Sequence, residues 1–375
     1  MVMEGNKLDL SGDGRSVFLF CSGIDDVLGG SPNVAGIQVQ MSFWARTFAA
    51  NGWEVVCLSE HQPTVMSGKL RFIKRSTSRW CRFLHLQILL ELKDCLKCIR
   101  QKPTMVVTRG ASRHLCFLVL LCRIKRVTLI HFGASDSDFV PGKELLAGSR
   151  ANRALYEKSI RRIEHIVTQN SEQKEALKRH YGKDSLTISN IWISDAVESS
   201  KKRYDAIWIA NLRPLKRAEW FVRLAKVLPD CRFAMVGGAS KHDYYDRIET
   251  EAKALGNLDF LGAQPIEEVN KLLSESRLLV CTSEFEGFPN TFLQAWAYGV
   301  PVVSTVDPSG VVSEYGLGNV VQDESELLRA FQLFMASDAM YSQCQKNIKD
   351  YSTSHHDADR AYRSIMEHLY GQSVE

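Results

Sequence analysis

The chain has 375 residues, 45% of them hydrophobic and 24% charged, with a formal net charge of +4. These are the values of a soluble globular protein too long for one ordinary core, and they suit two domains. No apolar run approaches membrane-spanning length. The longest, 115–122, is flanked by Arg113 and Arg123 and fits a buried helix.

The polar start MVMEGNKLDLSGDGRS lacks the apolar core of a secretion signal, which points to a cytoplasmic protein. Ten cysteines are scattered, mostly in apolar segments, as reduced buried thiols are. Residues 17–21 form a first apolar strand, and 22–30 a glycine-bearing loop. Ile37, Met41, Trp44, Ala45 and Phe48 then share one helical face, which Asn51-Gly52 ends. Residues 53–58 are the next strand. This opening is Rossmann-like, but without G-x-G-x-x-G a dinucleotide reading fails. On its own Gly29-Gly30 is a flexible turn.

From Lys69 to Arg126 fifteen Lys and Arg stand against Glu91 and Asp94, a local net charge of +13. They interleave with Trp80, Phe83, Leu84, Leu86, Ile88, Leu89 and Leu90. Such a surface suits peripheral contact with anionic membrane; a core helix with a solvated basic face is the plainer alternative. No motif for nucleic acid accompanies it. Cys95 and Cys98 make a lone C-x-x-C, half a zinc site.

Strands at 70–73, 105–108, 127–132 and 165–168 alternate with helices at about 79–100, 115–121, 150–162 and 171–181. That alternation predicts a parallel, doubly wound sheet, with ligands beyond the strands' carboxyl ends. Arg109, His131 and the cluster 135–138 stand there. A lone histidine at a strand end is otherwise often structural. Asp136 and Asp138 are spaced as a D-x-D pair that could hold a divalent ion against a diphosphate. A three-residue motif is weak, however, and bordering an acceptor pocket or capping the following segment is the preferred reading.

The polar stretch 189–202 reads as a linker. A second series follows: strand 206–210, loop 211–217, helix 219–228, strand 232–236 ending at Gly237-Gly238, strand 258–260 and helix 266–274. Strand 278–281 leads into the loop 283–289 and then a helix capped by Asn290 or Thr291. That helix turns Phe292, Leu293, Ala295 and Trp296 inward and stops at Gly299; Val302-Val303 begins another strand. Glu286 therefore sits just ahead of a helix start, with Gln294 on its first turn. Unpaired N–H groups there suit a phosphate, and a carboxylate beside them suits sugar hydroxyls. Residues 323–370 read as helices.

The stretch CTSEFEGFPNTFLQAWAYGVPVVSTV, 281–306, closely resembles the E-x7-E segment of family 4 glycosyltransferases, retaining enzymes of the GT-B fold. Gln294 replaces the second acid. The resemblance covers most of the chain and is strongest over 206–305. It implies an α/β chain of two Rossmann-like doubly wound domains facing across a cleft. These would be an acceptor-binding domain, 1–190, and a nucleotide-sugar-binding domain, 203–355, with the C-terminal helix 356–375 packing back on the first.

The donor implied is a nucleotide-diphosphate sugar, with no metal or other cofactor required. Lys216 matches the family's lysine, while the partner arginine position holds Asn211, with Arg213 two residues later. Lys216, Arg213 and the backbone at Phe288, Pro289, Asn290 and Thr291 would then neutralise the leaving diphosphate. Glu286 would orient the sugar and Gln294 the ribose, while Gly29 and Gly30 let the backbone approach the phosphates. His131 would contact the donor sugar, and Arg109, Asp136 and Asp138 would lie on the acceptor side. A glycan or lipid-linked acceptor is implied, in surface polysaccharide or glycoconjugate biosynthesis, in the cytoplasm or peripherally on the cytoplasmic membrane face. Alternatives are a nucleotide-sugar epimerase-like GT-B enzyme, a catalytically inactive GT-B scaffold, and a metal-dependent transferase built on Asp136 and Asp138.

Overall fold

The computed structural model describes residues 14–31, 34–61, 68–76, 84–144, 149–193, 201–239, 242–286 and 288–371. The polar N-terminus up to residue 13, Trp80, Phe83, linker positions 194–200 and Gly287 lie outside the described residues. The described residues form two compact units, one within Met1–Gly29, Ala35–Ile191 and Ala358–Glu375, the other within Gly30–Val34 and Trp192–Asp357.

Short apolar runs bounded by turn residues become parallel strands where helices cover both faces. In the first unit these are β1 (Ser16–Ser22), β2 (Glu54–Ser59), β3 (Leu70–Lys74), β4 (Met105–Arg109), β5 (Thr128–Phe132), β6 (His165–Thr168) and β7 (Leu186–Thr187). The helices are α1 (Ile24–Leu28), α2 (Gly36–Ala50), α3 (Leu84–Arg100), α4 (Leu115–Lys125), α5 (Arg150–Ile160) and α6 (Ser171–Tyr181). The strand order is β3-β2-β1-β4-β5-β6-β7, all parallel. Val17, Phe18, Val106 and Ile130 are buried in its centre.

The second unit repeats the plan with β8 (Tyr204–Ile209), β9 (Phe233–Val236), β10 (Leu258–Gly262), β11 (Ser276–Cys281), β12 (Val302–Ser304) and β13 (Gly318–Val320). Its helices are α7 (Ala218–Val227), α8 (His242–Lys253), α9 (Ile266–Ser274), α10 (Asn290–Ala297), α11 (Val311–Glu314), α12 (Glu324–Ala336) and α13 (Asp338–His355). The order is β10-β9-β8-β11-β12-β13, again all parallel. Trp208, Phe221, Phe233 and Phe292 fill the core, each at most 1% exposed.

The last helix, α14 (Ala358–Tyr370), groups with the first unit. Trp53 Nε1 donates to the Tyr362 hydroxyl at 2.9 Å, and Phe48 meets the Tyr362 ring edge-on. No helix of the described residues is long and apolar enough to cross a membrane. In each sheet the winding reverses once, between β1 and β4 and between β8 and β11. Such reversals open a crevice at the strands' carboxyl ends.

Candidate active site

The reversal in the second unit brings together the two loops that the sequence marks as chemical. β8 and β11 run side by side, Leu278 against Ala206 and Val280 against Trp208, so the chain leaves both at one edge. Backbone bonds and one buried hydroxyl then stitch the loops. Trp208 Nε1 donates to Thr282 Oγ1 at 3.0 Å, and that hydroxyl lies 2.7 Å from the carbonyl of Lys216 and 3.0 Å from that of Arg217. The Glu284 N–H reaches the Leu215 carbonyl at 2.8 Å. Arg217, in the left-handed region at φ 48°, stacks over Trp220 and pairs with Glu284 at 3.6 Å. The ring and the carboxylate together hold Arg217. Gly237 lets the neighbouring loop close in: a Cβ there would stand 1.9 Å from the Ala210 carbonyl oxygen.

Within this frame the Lys216 ammonium is bonded directly to Glu286 Oε1, and Ser283 Oγ donates to the same oxygen at 2.8 Å. Both partners are mostly buried, with side-chain exposures of 17% and 21%. Glu286 precedes α10, whose N-cap is Pro289 and carries no side-chain cap. A cation, a carboxylate and a helix start are thus gathered at one strand edge, the arrangement that holds a phosphate beside a polyol. Arg213 is exposed at the start of the Pro214–Lys216 turn that carries Lys216. Phe288 packs against the rings of Trp296 and His356.

Gln294 departs from expectation. Because α10 begins at Asn290, Gln294 lies on the second turn, is 7% exposed, and donates from Nε2 to Asn270 Oδ1 at 3.3 Å. Sequence reasoning also passed over two residues. Thr282 was hidden because its role is set by a strand pairing across seventy-odd positions. Phe285, 70% exposed beside Glu286, could have been found as an aromatic stranded in a polar loop.

His131 lies deep in the first unit. It is 0% exposed, with Nδ1 2.9 Å from Thr108 Oγ1 and Nε2 3.0 Å from the Tyr156 hydroxyl. Both ring nitrogens are engaged inside the core, by partners on β4 and α5. The carboxylates of Asp136 and Asp138 also part company. Asp136 is exposed and accepts from Asn170 and Gln173, each at 3.0 Å. Asp138 is buried and accepts the N–H groups of Ala134 and Ser135 at 2.7 and 3.1 Å, as a turn cap does. Among the described residues no group of three or more His, Cys, Asp or Glu is gathered as a metal site. Arg109 reaches Asn190 Oδ1 at 2.5 Å; burial pulls its pKa down to about 10, opposed by the charge of Asp138. The glycine-bearing loop holds a short helix not foreseen, α1, which Gly29 closes by donating to the Asp25 carbonyl at 2.8 Å; Gly30 follows at φ 74°.

Burial pulls His131 and His114 down from 6.5 to about 3 and pushes Asp138 up from 3.8 to about 6. A depressed histidine stabilises the fold above its unfolded pKa, and that stability is lost as pH falls from about 6.5 towards 3. Asp138 opposes this between about 6 and 4, where the folded state takes up its proton first. His165, also lowered by burial, acts with the two histidines, and Glu144, raised by burial, acts with Asp138; with three groups against two, the melting temperature is expected to fall from pH 7 to pH 4. His131→Asn should flatten that slope; a melting temperature that rises on acidification would contradict the assignment.

Residues 191–351 match the family model described as Glycosyl transferases group 1. An uncharacterised glycosyltransferase of Methanocaldococcus jannaschii is 23% identical over 245 residues, 58% of this chain and 60% of its own. The O-antigen chain mannosyltransferase of Salmonella typhimurium is 25% identical over 158 residues, 40% of this chain and 44% of its own. The chain therefore spans less than two thirds of either relative. Among solved structures, sucrose-phosphate synthase from Thermosynechococcus elongatus superposes with a TM-score of 0.71 at 15% identity, covering 96% of this chain and 99% of that one. The fold is accordingly that of GT-B proteins: two Rossmann-like units, each with a parallel sheet.

Proposed function

We propose that the protein is a retaining glycosyltransferase that moves a sugar from a nucleotide-diphosphate sugar to a glycan or lipid-linked acceptor in polysaccharide or glycoconjugate biosynthesis. The observation that carries this reading is the Lys216–Glu286 pair, set ahead of the α10 N-terminus at the sheet's winding reversal. The group 1 match and the mannosyltransferase likeness support it.

In this reading the donor diphosphate takes Lys216 from Glu286, with Arg213 and the first amides of α10 completing its shell. The C1–O bond to the diphosphate breaks as the acceptor oxygen bonds C1 from the same face. The acceptor proton passes to the departing phosphate oxygen, so no protein nucleophile is needed. Preorganised positive charge on the leaving group is the largest catalytic contribution of such a site. Glu286, freed from Lys216 and still held by Ser283, orients sugar hydroxyls, and no step calls for a metal. Phe285 offers an exposed ring beside the sugar.

A panel of UDP-, GDP-, ADP- and CMP-sugars, each with and without EDTA, tests the reading by thermal shift. Ligand at about a hundred times its Kd adds about 2.7 kcal/mol, several degrees of melting temperature. One nucleotide class should give that shift regardless of EDTA; a flat panel removes the donor site. Sugar appearing on an acceptor, rather than as a free epimer, separates transferase from epimerase. A second reading, an inactive donor-binding scaffold, is favoured by the engagement of Gln294 with Asn270. A shift with no transfer to any acceptor would select it.

A further inference from the structure

The first unit presents a face that sugar transfer does not use. α3, α4 and α5 lie side by side, linking β3 to β4, β4 to β5 and β5 to β6, with α4 packed against both neighbours. Among the described residues of this unit, the exposed large apolar side chains are Leu86, Leu89, Leu120, Ile124 and Leu155. All of them stand on these three helices. On α3, Leu86, Leu89, Lys93 and Arg100 follow at helical spacing as one exposed stripe; on α4, Leu120, Arg123 and Ile124 do the same.

The charge on this face has one sign. The exposed charged side chains described on the three helices are Lys93, Arg100, Arg123, Lys125, Arg150 and Lys158. The acids turn inward: Glu91 pairs with Arg113 at 2.7 Å, Asp94 is buried, and Glu157 is half-buried and accepts the Gly142 N–H at 3.2 Å. At the C-terminal ends of α4 and α5 a cavity of about 400 Å³ is lined by Arg123, Arg126 and Arg162, with Glu164 also on its wall. Among the described residues none of the three guanidinium groups is in an ion pair. Guanidinium forks match phosphate oxygens, and leucines among cations match the boundary between lipid headgroups and acyl chains.

We propose that the α3–α4–α5 face docks on an anionic membrane surface. Leu86, Leu89, Leu120, Ile124 and Leu155 enter the interface, and Arg123, Arg126 and Arg162 receive lipid phosphate. The proposal goes beyond the transferase reading and does not depend on it, because vesicle flotation reads no sugar transfer.

The full chain is floated with vesicles of phosphatidylcholine alone and of phosphatidylcholine with phosphatidylglycerol, at low and high salt. It should float with the anionic vesicles at low salt, at least about tenfold more than with neutral ones, since each basic residue near the surface adds about fivefold. R123E/R126E/R162E should lose at least about tenfold at an unchanged melting temperature. L89S/L120S/I124S should float at low salt but be released at a lower salt concentration than the unaltered chain. No flotation at either salt, equal flotation with neutral vesicles, or undiminished binding of the arginine variant would overturn the proposal. If the arginine variant melts early, the salt series on the unaltered chain decides, and binding indifferent to salt overturns the charge-based docking.

Discussion

Lys216→Ala is expected to lower kcat/KM for sugar transfer by about 10² to 10³, the loss seen when one preorganised donor is removed from developing negative charge. The argument rests on where the ammonium stands. It is mostly buried, it lies on the turn that follows β8, and its bonded partner is the carboxylate that would hold the sugar. In the proposed reading a departing diphosphate would compete with Glu286 for one ammonium, and would win because it carries more charge. The substitution should leave the fold intact. Glu286 keeps its bond from Ser283, but a mostly buried carboxylate that loses its cation costs more than the about 1 kcal/mol of an exposed pair, so the melting temperature without donor should fall by a few degrees. The donor-induced thermal shift should vanish with the activity. Arg213→Ala, at the exposed start of the same turn, should cost about tenfold or less, as a screened charge does. A Lys216→Ala enzyme within threefold of the unaltered one would sink the proposed role, whatever else bound the donor.

Much of the architecture was legible because parallel strands buried on both faces announce themselves. The runs 17–21, 105–108 and 278–281 need no alternation to be read, and glycine or polar turns bound them. What escaped was short or contextual. β7 and β13, two and three residues long, are strands only because a neighbour offers a ladder. α1 is five residues within a stretch whose glycines suggested loop. The site divided along the same line. Glu286 and Lys216 were legible because each follows a recognisable strand, and the pairing of β8 with β11 brings them together. The surroundings of His131 were not legible, because strand-end position does not say which side chains meet the ring; Thr108 and Tyr156 take both ring nitrogens. Gln294 followed the same rule, one turn deeper in α10 than expected and facing Asn270.

Thr282 shows most directly how the fold holds the site, and Thr282→Val should damage both. The valine has the same shape but no hydroxyl, at a position 0% exposed. Trp208 Nε1, in a side chain 1% exposed, then loses its acceptor, and the Lys216 and Arg217 carbonyls lose their donor. Each buried group left unsatisfied costs about 1–3 kcal/mol. About 3 kcal/mol in all corresponds to a fall in melting temperature of about 6–12 °C for a domain of this size. The same loss loosens the turn carrying Lys216, so donor affinity should drop by about tenfold even well below melting, where a 1 Å displacement already matters. Thr282→Ser keeps the hydroxyl and gives up only a methyl group, so it should recover donor affinity fully and stability for the most part. That split separates the hydroxyl from mere packing. If the valine variant binds donor as the unaltered chain does while the serine variant does not, the loop is placed by the methyl group and the hydrogen-bond argument is wrong. If valine weakens binding and serine restores it, a residue outside the E-x7-E segment's acidic positions decides where the cation stands, because it is tied at once to the core indole and to the two carbonyls that turn Lys216 towards Glu286.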